Sequence, residues 1–307
     1  SFRRPELLAF DFDRIVCDEA HMFRNSKSKI FKGLFKIRGK TKLLLTGTPI
    51  QNKLGDLATL INFIIGREMV LNIDFIKLFL KERMIRRKIS DVGIEMPKLS
   101  IKHVELDSNT SNEEALELTK NFDYNHQFEK IIRRKQASTF PAALLNSFYK
   151  TYDMAPVKTD NEKTDRIIST VVKEKRNCII FTEFKDELKY AKKQIQSKLP
   201  KFRVESISGE TPLEERQRIA SDKKINVLVI QINTAGVGLN LQHFNVAHFT
   251  NTQWNPSTLD QAIGRINRIG QESDMEVFIY TFTDSIDERI KFIALKKRDL
   301  IESIIEN

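Results

Sequence analysis

The sequence predicts an α/β fold in which parallel sheets carry helices on both faces. Short aliphatic or β-branched runs alternate with longer amphipathic stretches along most of the 307 residues. The clearest helical stretches, Lys185–Lys198 and Leu213–Ser221, lie between such runs, as expected for strand–helix–strand repetition. A chain of this length is expected to form about two domains. We place the boundary near residue 92, with one lobe in residues 1–92 and another in residues 93–307.

Eight short apolar runs are predicted to be strands, namely residues 14–17, 42–45, 101–105, 177–181, 204–206, 226–230, 246–249 and 276–281. Residues around 107–160 interrupt this pattern and are predicted to form a helical insertion, with a loop at residues 154–163. Isoleucines at helical spacing in residues 285–305 predict a closing helix packed on the sheet.

Composition narrows the class of protein. Hydrophobic residues make up 40% and charged residues 30% of the chain, which is typical of a folded globular protein. The net charge of +10 favours a polyanionic partner, although many basic proteins bind no nucleic acid. No apolar run approaches the roughly 18 residues of a membrane span, so we expect no membrane partner. Cys17 and Cys178 lie in separate apolar runs and predict buried free thiols.

The segment RIVCDEAH, residues 14–21, is an apolar strand that ends in two carboxylates. This arrangement is typical of the Walker B acids of NTPases. Asp18 would hold the Mg²⁺ that bridges the phosphates of ATP, and Glu19 would orient or deprotonate the attacking water. The alternative is a strand that ends in two solvated acids.

The segment KLLLTGTPIQN, residues 42–52, predicts a second strand that ends in a tight turn at Thr46-Gly47-Thr48-Pro49. Such a turn can relay the presence of phosphate to another surface, whereas the alternative is an ordinary turn in which a threonine caps the next helix. Gly39-Lys40-Thr41 resembles the end of a phosphate-binding loop, but Leu34 stands where that loop requires its first glycine. We interpret residues 39–41 as a turn.

Two glycine- and arginine-containing segments lie in the second region. In INTAGVGLNL, residues 232–241, Gly236 and Gly238 would let backbone N–H groups approach a phosphate or ribose. In QAIGRINRIGQ, residues 261–271, Arg265 and Arg268 are three apart, so a helix would place them on one face. There they could act as arginine fingers on a γ-phosphate. The alternative is an exposed basic helix.

These motifs, with Trp254-Asn255-Pro256 between the last two, occur in an order that resembles the SWI/SNF-type (sucrose-nonfermenting) ATPases of superfamily two helicases. Further matches are Arg86-Arg87 before MPKL, IIFTEF at residues 179–184 and SGETPLEER at residues 208–216. The resemblance implies RecA-like sheets, with a partial first lobe and a complete second lobe. It also implies a DNA-dependent ATPase that closes around ATP and Mg²⁺ while it grips double-stranded DNA.

The resemblance also implies roles at the nucleotide. Asp18 and Glu19 bind Mg²⁺ and activate the attacking water. His21 couples this site to the rest of the first lobe. Residues of the second lobe reach the phosphates, with Arg268 as the principal finger; these are Gln261, Arg265 and Arg268. The nucleotide is further contacted by Gly236, Gly238 and Asn240.

Other implied roles concern coupling and DNA. Closure is transmitted by Thr46, Thr48 and Asn52. The DNA backbone is contacted by Thr182, Ser208, Gly209 and Thr234, since hydroxyl and N–H groups track phosphates without reading bases. Trp254 couples DNA contact to hydrolysis, the alternative being a half-buried packing aromatic.

One departure from the family pattern is that these residues contain no Gly-Lys-Thr loop before the DEAH strand. We therefore expect the 307 residues alone to be inactive, and the coding sequence before Ser1 would decide the matter. Three interpretations remain: part of a DNA translocase, a noncatalytic module that binds DNA or a partner, or a viral transcription-associated NTPase. The expected partners are an amino-terminal lobe or a transcription or chromatin complex. The expected location is the nucleus, or a cytoplasmic virus factory or virion.

Overall fold

The computed structural model describes residues 4–50, 53–87, 91, 93–121, 127–154, 159–234 and 238–305. These residues form two compact units. Unit 1 comprises Ser1–Val92, Asn255–Ser257 and Ala294–Asn307, and unit 2 comprises Gly93–Trp254 and Thr258–Ile293. This division differs from the sequence-based one mainly in residues 294–307, which the sequence assigns to the second region.

Unit 1 is built on two parallel strands, β1 (Asp11–Cys17) and β2 (Arg38–Leu44), with Cys17 opposite Leu44. Its helices are α1 (Lys29–Phe35), α2 (Leu54–Ile65) and α3 (Ile73–Arg83), with short 3₁₀ turns at Pro5–Ala9 and Ala20–Phe23. Phenylalanines dominate the core beside the strands, which contains Ala20, Phe23, Phe31, Leu60 and Phe63. Because Ala20 of the DEAH segment is itself a fully buried member of this core, packing fixes where that segment lies.

Two sequence predictions about unit 1 are wrong. Gly39, Lys40 and Thr41 lie within strand β2, not in a turn, because Lys40 pairs with Asp13 across the strands and Gly39 packs against Ile15. The closing helix, α11 (Ile286–Ile305), does not pack only on a sheet. Its end joins unit 1, where Ile304 is 2% exposed in a cluster with residues of α2 and α3.

Unit 2 contains a six-stranded parallel sheet in the order β3-β8-β7-β4-β6-β5. Its strands are β3 (Leu99–Leu106), β4 (Cys178–Thr182), β5 (Val204–Ile207), β6 (Val227–Gln231), β7 (Val246–Phe249) and β8 (Met275–Phe282). Alternate residues of β4 enter two separate cores, Ile179 and Phe181 on one face, Cys178 and Ile180 on the other. The sheet is therefore buried on both faces, as the apolar runs predict.

Helices cover both faces of this sheet. α7 (Glu162–Glu174) and α8 (Lys185–Lys198) pack on one face, while α9 (Leu213–Ser221) and α10 (Pro256–Ile263) pack on the other. The segment between β3 and α7 contains α4 (Thr110–Asn121), α5 (Gln127–Thr139) and α6 (Pro141–Thr151), which share a small core of their own. The predicted α/β fold with parallel sheets is confirmed.

Two expectations from composition can be compared with the described part of the chain. Within it, no helix combines the length and the apolar character that crossing a bilayer requires. Both cysteines are free thiols, with Cys178 buried and Cys17 half-buried. Desolvation by burial, reinforced by Glu174 and opposed by Arg176, raises the pKa of Cys178 to about 12, so this thiol stays protonated.

Candidate functional site

The acidic pair of unit 1 lies directly after β1. Glu19 has left-handed backbone angles (φ 47°, ψ 47°), and its N–H donates to Asp18 Oδ1 at 2.8 Å. Two backbone bonds hold this turn against the neighbouring strand end, Leu45 N–H to Cys17 O at 2.8 Å and Ala20 N–H to Leu45 O at 3.0 Å. A left-handed residue other than glycine costs about 1 kcal/mol or more, so the turn is held by its surroundings. Both carboxylates are exposed.

His21 connects the acidic pair, Asp18 and Glu19, to the turn at Thr46-Gly47-Thr48, which we call the TGT turn. Its Nδ1 lies 3.2 Å from Glu19 Oε2 and 3.3 Å from Thr46 Oγ1. Thr46 Oγ1 in turn accepts the N–H of Thr48 at 3.1 Å. The structure therefore brings together five of the predicted residues in one chain of contacts, which runs Asp18, Glu19, His21, Thr46 and Thr48.

Burial lowers the pKa of His21, with Glu19 opposing and Arg24 reinforcing that shift. The imidazole is therefore neutral at neutral pH. Because a carboxylate can only accept a hydrogen bond, the contact with Glu19 is favourable when Nδ1 carries the ring proton. In that tautomer Nδ1–H is shared between Glu19 and the Thr46 hydroxyl oxygen, which couples the two strand ends.

Arg24 and Asp56 support this turn and were not among the predicted residues. Arg24 Nη1 donates to the carbonyl of His21 at 3.0 Å, and its Nε lies 3.7 Å from Asp56 Oδ2. Asp56 is 4% exposed in the first turn of α2, where its carboxylate also accepts the N–H of Lys53. A sequence signal existed, since an acidic residue three positions after the start of a helix is typical of a capping box.

Of the two other predicted coupling residues, the structure describes Thr48 but not Asn52. Thr48 Oγ1 is buried and has no hydrogen-bond partner among the residues that the structure describes. Asn52 lies outside the described residues. Within the described residues, the hydroxyl of Thr48 is therefore a donor without an acceptor beside the Thr46 hydroxyl.

The donor set at β1 suits a particular kind of ion. In the described ranges no group of three or more His, Cys, Asp or Glu residues could hold a metal by itself. Mg²⁺ commonly takes only one or two protein carboxylates and completes its shell with water and substrate phosphates. Asp18, exposed at a strand end beside Glu19, fits that type of coordination.

In unit 2, Gly238 and Asn240 line a largely polar pocket of about 560 Å³. Gly238 has φ +47°, a conformation that favours glycine. Lys223 and Gly270 also line this pocket. Gly236, the remaining predicted nucleotide residue of this loop, lies outside the described residues.

The arginines do not lie on a helix, so the expectation of a shared helix face is wrong. α10 ends at Ile263, and the chain continues as turns through Arg265, which is half-buried, to Arg268, which is exposed. Gln261 is half-buried in the last turn of α10. We call residues 264–271 the arginine turn. At Gly264, the first residue after α10, a Cβ would lie 3.2 Å from the carbonyl of Asp260, so a larger residue would be crowded there.

Two of the predicted DNA contacts, Thr182 and Thr234, have buried side chains. Thr182 is 1% exposed and its hydroxyl donates to the carbonyl of Ile230 at 3.4 Å. Thr234 is 6% exposed and donates to the carbonyl of Gln231 at 2.6 Å. Both hydroxyls donate to backbone carbonyls, Thr182 at the last position of β4 and Thr234 in the short turn after β6.

Ser208 and Gly209 lie in an ordered surface turn after β5. Gly209 N–H donates to Gln231 Oε1 at 3.3 Å, and the carbonyl of Gly209 accepts from Arg216 at 2.9 Å. A side chain at Gly209 would meet no atom of the described protein within 4 Å, so there is open space beside its Cα. Trp254 is half-buried, directly before α10.

Comparison with known families identifies two domains. The SNF2-related domain matches residues 3–82, and the helicase conserved C-terminal domain matches residues 162–270. The first contains the acidic pair and the TGT turn. The second contains most of the arginine turn and the predicted DNA contacts.

Similar proteins agree with these matches. An uncharacterized ATP-dependent helicase of Mycoplasma genitalium, MG018, is 25% identical over 96% of this chain and 31% of its own length. Protein Chromatin Remodeling 5 of Arabidopsis thaliana is 25% identical over 95% of this chain and 19% of its own length. The chain thus spans less than a third of the length of either relative.

A solved structure supports the fold. The C-terminal part of the Fun30 ATPase domain superposes with a TM-score of 0.52, covering 69% of this chain and 99% of that one. At 16% identity this similarity concerns the fold alone. It supports a RecA-like arrangement of the parallel sheet and its flanking helices.

Proposed function

Because the chain belongs to the SNF2-related, SWI/SNF-type family of superfamily two helicases, we propose that it forms part of an ATP-driven translocase on double-stranded DNA. The observation that carries this proposal is the connected set Asp18–Glu19–His21–Thr46 in unit 1. A strand that merely ended in two solvated acids would not need a histidine linking one acid to the next strand end.

In this proposal Asp18 holds Mg²⁺, which would neutralise charge on the phosphates of ATP when bound. Glu19 orients the attacking water and accepts its proton. His21 holds the Glu19 carboxylate through Nδ1–H and keeps it in register with Thr46. Thr46 and Thr48 carry the state of this site along the TGT turn.

The residues of unit 2 act on the phosphates and on DNA. Arg268 is exposed in the arginine turn, so its guanidinium group can reach a phosphate and stabilise developing charge, and the half-buried Arg265 lies three residues before it. Gly238 and Asn240 offer backbone and amide groups to the nucleotide. In this proposal the Ser208 hydroxyl, whose oxygen accepts the N–H of Glu210, donates to a DNA phosphate, and Gly209 leaves space for the phosphate to approach.

The net charge of +10 supports a DNA-backbone partner. Binding that depends on phosphate contacts releases counterions, so DNA affinity should fall steeply with salt and vary little with base sequence.

The test is ATP hydrolysis by the protein produced from its complete coding sequence, measured with and without duplex DNA. We expect stimulation by DNA in the wild type. Glu19→Gln and Arg268→Ala should each reduce turnover about 100-fold or more and leave DNA binding largely intact. The matched exposed controls Glu214→Gln and Arg289→Ala should behave like the wild type.

Wild-type turnover in either Glu19→Gln or Arg268→Ala would refute these roles. Wild-type protein that binds DNA with high affinity but hydrolyses no ATP would favour the other candidate, a noncatalytic DNA-binding module that retains the motifs of a motor.

A further inference from the structure

Gln271, which closes the arginine turn, has no role in the proposed chemistry but makes an unusual number of contacts. It is 8% exposed. Its Nε2 donates to the carbonyls of Gln242 at 2.9 Å, Phe244 at 3.0 Å and Ile266 at 3.2 Å. The two amide hydrogens are thus shared among three carbonyl oxygens, of which Gln242 and Phe244 lie in one segment and Ile266 in another.

The other atoms of Gln271 are also used. Its Oε1 accepts the N–H groups of Glu272 and Ser273, both at 3.0 Å. Its backbone N–H donates to the carbonyl of Arg268 at 2.9 Å. Every hydrogen-bonding group of the side chain therefore points into the protein, which leaves none to contact a nucleotide or DNA.

The contacts of Gln271 join two loops and no regular element. One is the arginine turn, held through the carbonyls of Ile266 and Arg268. The other is the segment 238–244, held through Gln242 and Phe244. A further bond, Leu241 N–H to the carbonyl of Arg265 at 3.1 Å, joins the same two loops.

Gly270 allows the arginine turn to approach the 238–244 segment closely. It has φ +99°, which favours glycine. A Cβ at this position would also lie 3.0 Å from Nε2 of Gln242. The chain therefore reaches the 238–244 segment at Gly270 and delivers the Gln271 amide to the three carbonyls.

We propose that Gln271 is a positioning residue that fixes the arginine turn against the 238–244 segment, so that Arg265 and Arg268 keep one orientation relative to Gly238 and Asn240. Its amide aligns the guanidinium groups for the transition state and binds no substrate itself. This role rests on the proposed ATP hydrolysis.

The test compares Gln271→Met, which removes both donors at similar volume, with Gln271→Glu, which also places a carboxylate against three carbonyls. Gln196→Met is the matched control. Gln196 lies in α8 and donates to a single carbonyl, that of Phe202. If Gln271→Glu fails to fold, the milder Gln271→Met carries the test.

Two readouts are needed in the protein produced from its complete coding sequence. Hydrogen exchange should accelerate at the Leu241 amide and in residues 264–273 of the Gln271→Met protein, with no change in β7. DNA-stimulated kcat should fall about tenfold or more, while KM for ATP stays within about twofold of the wild-type value. Gln196→Met should change neither.

Unchanged exchange in both loops would overturn the proposal, and so would accelerated exchange with wild-type kcat. Acceleration spread evenly over β7 and the loops would also overturn it, since that indicates only lost stability. If the wild type hydrolyses no ATP, the proposed function fails, and hydrogen exchange alone decides whether Gln271 holds the two loops together.

Discussion

At the scale of single residues, Glu187 is a buried carboxyl group whose ionisation opposes folding. It is fully buried at the start of α8 and accepts the N–H groups of Glu183 at 3.0 Å and Phe184 at 3.2 Å. Desolvation outweighs these bonds and raises the pKa of Glu187 to about 7. The folded state therefore keeps a proton that the unfolded state releases at lower pH.

This shift predicts a pH dependence of stability. Between the ordinary carboxyl pKa and about 7 the folded protein binds more protons than the unfolded one, so the free energy of unfolding falls as pH rises. Relative to Glu187→Gln, the wild type should lose on the order of 2 kcal/mol between pH 5 and pH 8. Urea denaturation of both proteins at each pH measures it. A constant difference across this range would contradict the prediction.

Individual site residues were predictable where a residue of catalytic type directly follows a predicted strand. Asp18, Glu19 and Thr46 follow parallel strands, whose carboxyl ends meet at one edge, so their proximity follows from the pattern. Thr182 and Thr234 also follow strands, but nothing in the sequence distinguishes a hydroxyl that binds ligand from one that satisfies a buried carbonyl. Gln271 was visible only as part of a motif, because its partners lie up to 29 residues away.

At the scale of elements, β2 shows why Gly-Lys-Thr was misassigned. Glycine favours turns by propensity, yet here Gly39 allows close packing of Ile15, and charged pairs join the strands at Asp11–Arg38 and Asp13–Lys40. Cross-strand pairing of this kind is not encoded in local propensity.

The close packing at Gly39 gives a test. A Cβ there would lie 2.6 Å from Cδ1 and 2.7 Å from Cγ1 of Ile15. Gly39→Ala should therefore destabilise the protein by about 1–2 kcal/mol in chemical denaturation, through overpacking. Gly47→Ala is the control, since its Cβ would meet nothing within 4 Å. Equal stability of the two variants would show that Ile15 adjusts at no cost.

The arginine turn illustrates a limit of periodicity. Ala262, Ile263, Ile266 and Ile269 continue a helical spacing, which predicts a longer helix than α10. In the structure Ile266 is fully buried while Ile269 is 61% exposed, because the chain leaves the helical path after Ile263. Tertiary bonds to Leu241 and Gln271 override the local pattern.

At the scale of the whole molecule, a buried ionic network links distant segments of unit 2. Lys163 in α7 and Asp287 in α11 are both fully buried and form a hydrogen-bonded ion pair. Ser138 of α5 donates to Asp287 at 3.3 Å, and Lys163 lies 3.4 Å from Asn251, which follows β7. The network thereby joins the helical insertion to the segment that leads to Trp254.

Removal of one partner should be costly. Asp287→Ala leaves the Lys163 ammonium buried without its counter-charge, which costs about 3–5 kcal/mol in comparable pairs. Adding Lys163→Met to Asp287→Ala should recover part of that loss, because the unpaired charge disappears. Chemical denaturation of the single and double variants measures both effects, and strictly additive losses would contradict a coupled pair.

The overall architecture was largely predictable because strands buried on both faces give continuous apolar runs that end at sharp boundaries. The end of α11 was not, since isoleucine spacing predicts a helix without indicating what it packs against. The Lys163–Asp287 pair could not be predicted either, because its partners are 124 residues apart and each resembles a surface residue in sequence.

We propose that this protein moves along duplex DNA by hydrolysing ATP. Displacement of a third strand from a DNA triplex tests it most directly, since translocation along the duplex removes that strand without separating the duplex. The wild-type protein from its complete coding sequence should release the third strand with ATP, and Glu19→Gln should release none. Wild-type protein that binds the duplex and hydrolyses ATP yet leaves the third strand in place would contradict the claim.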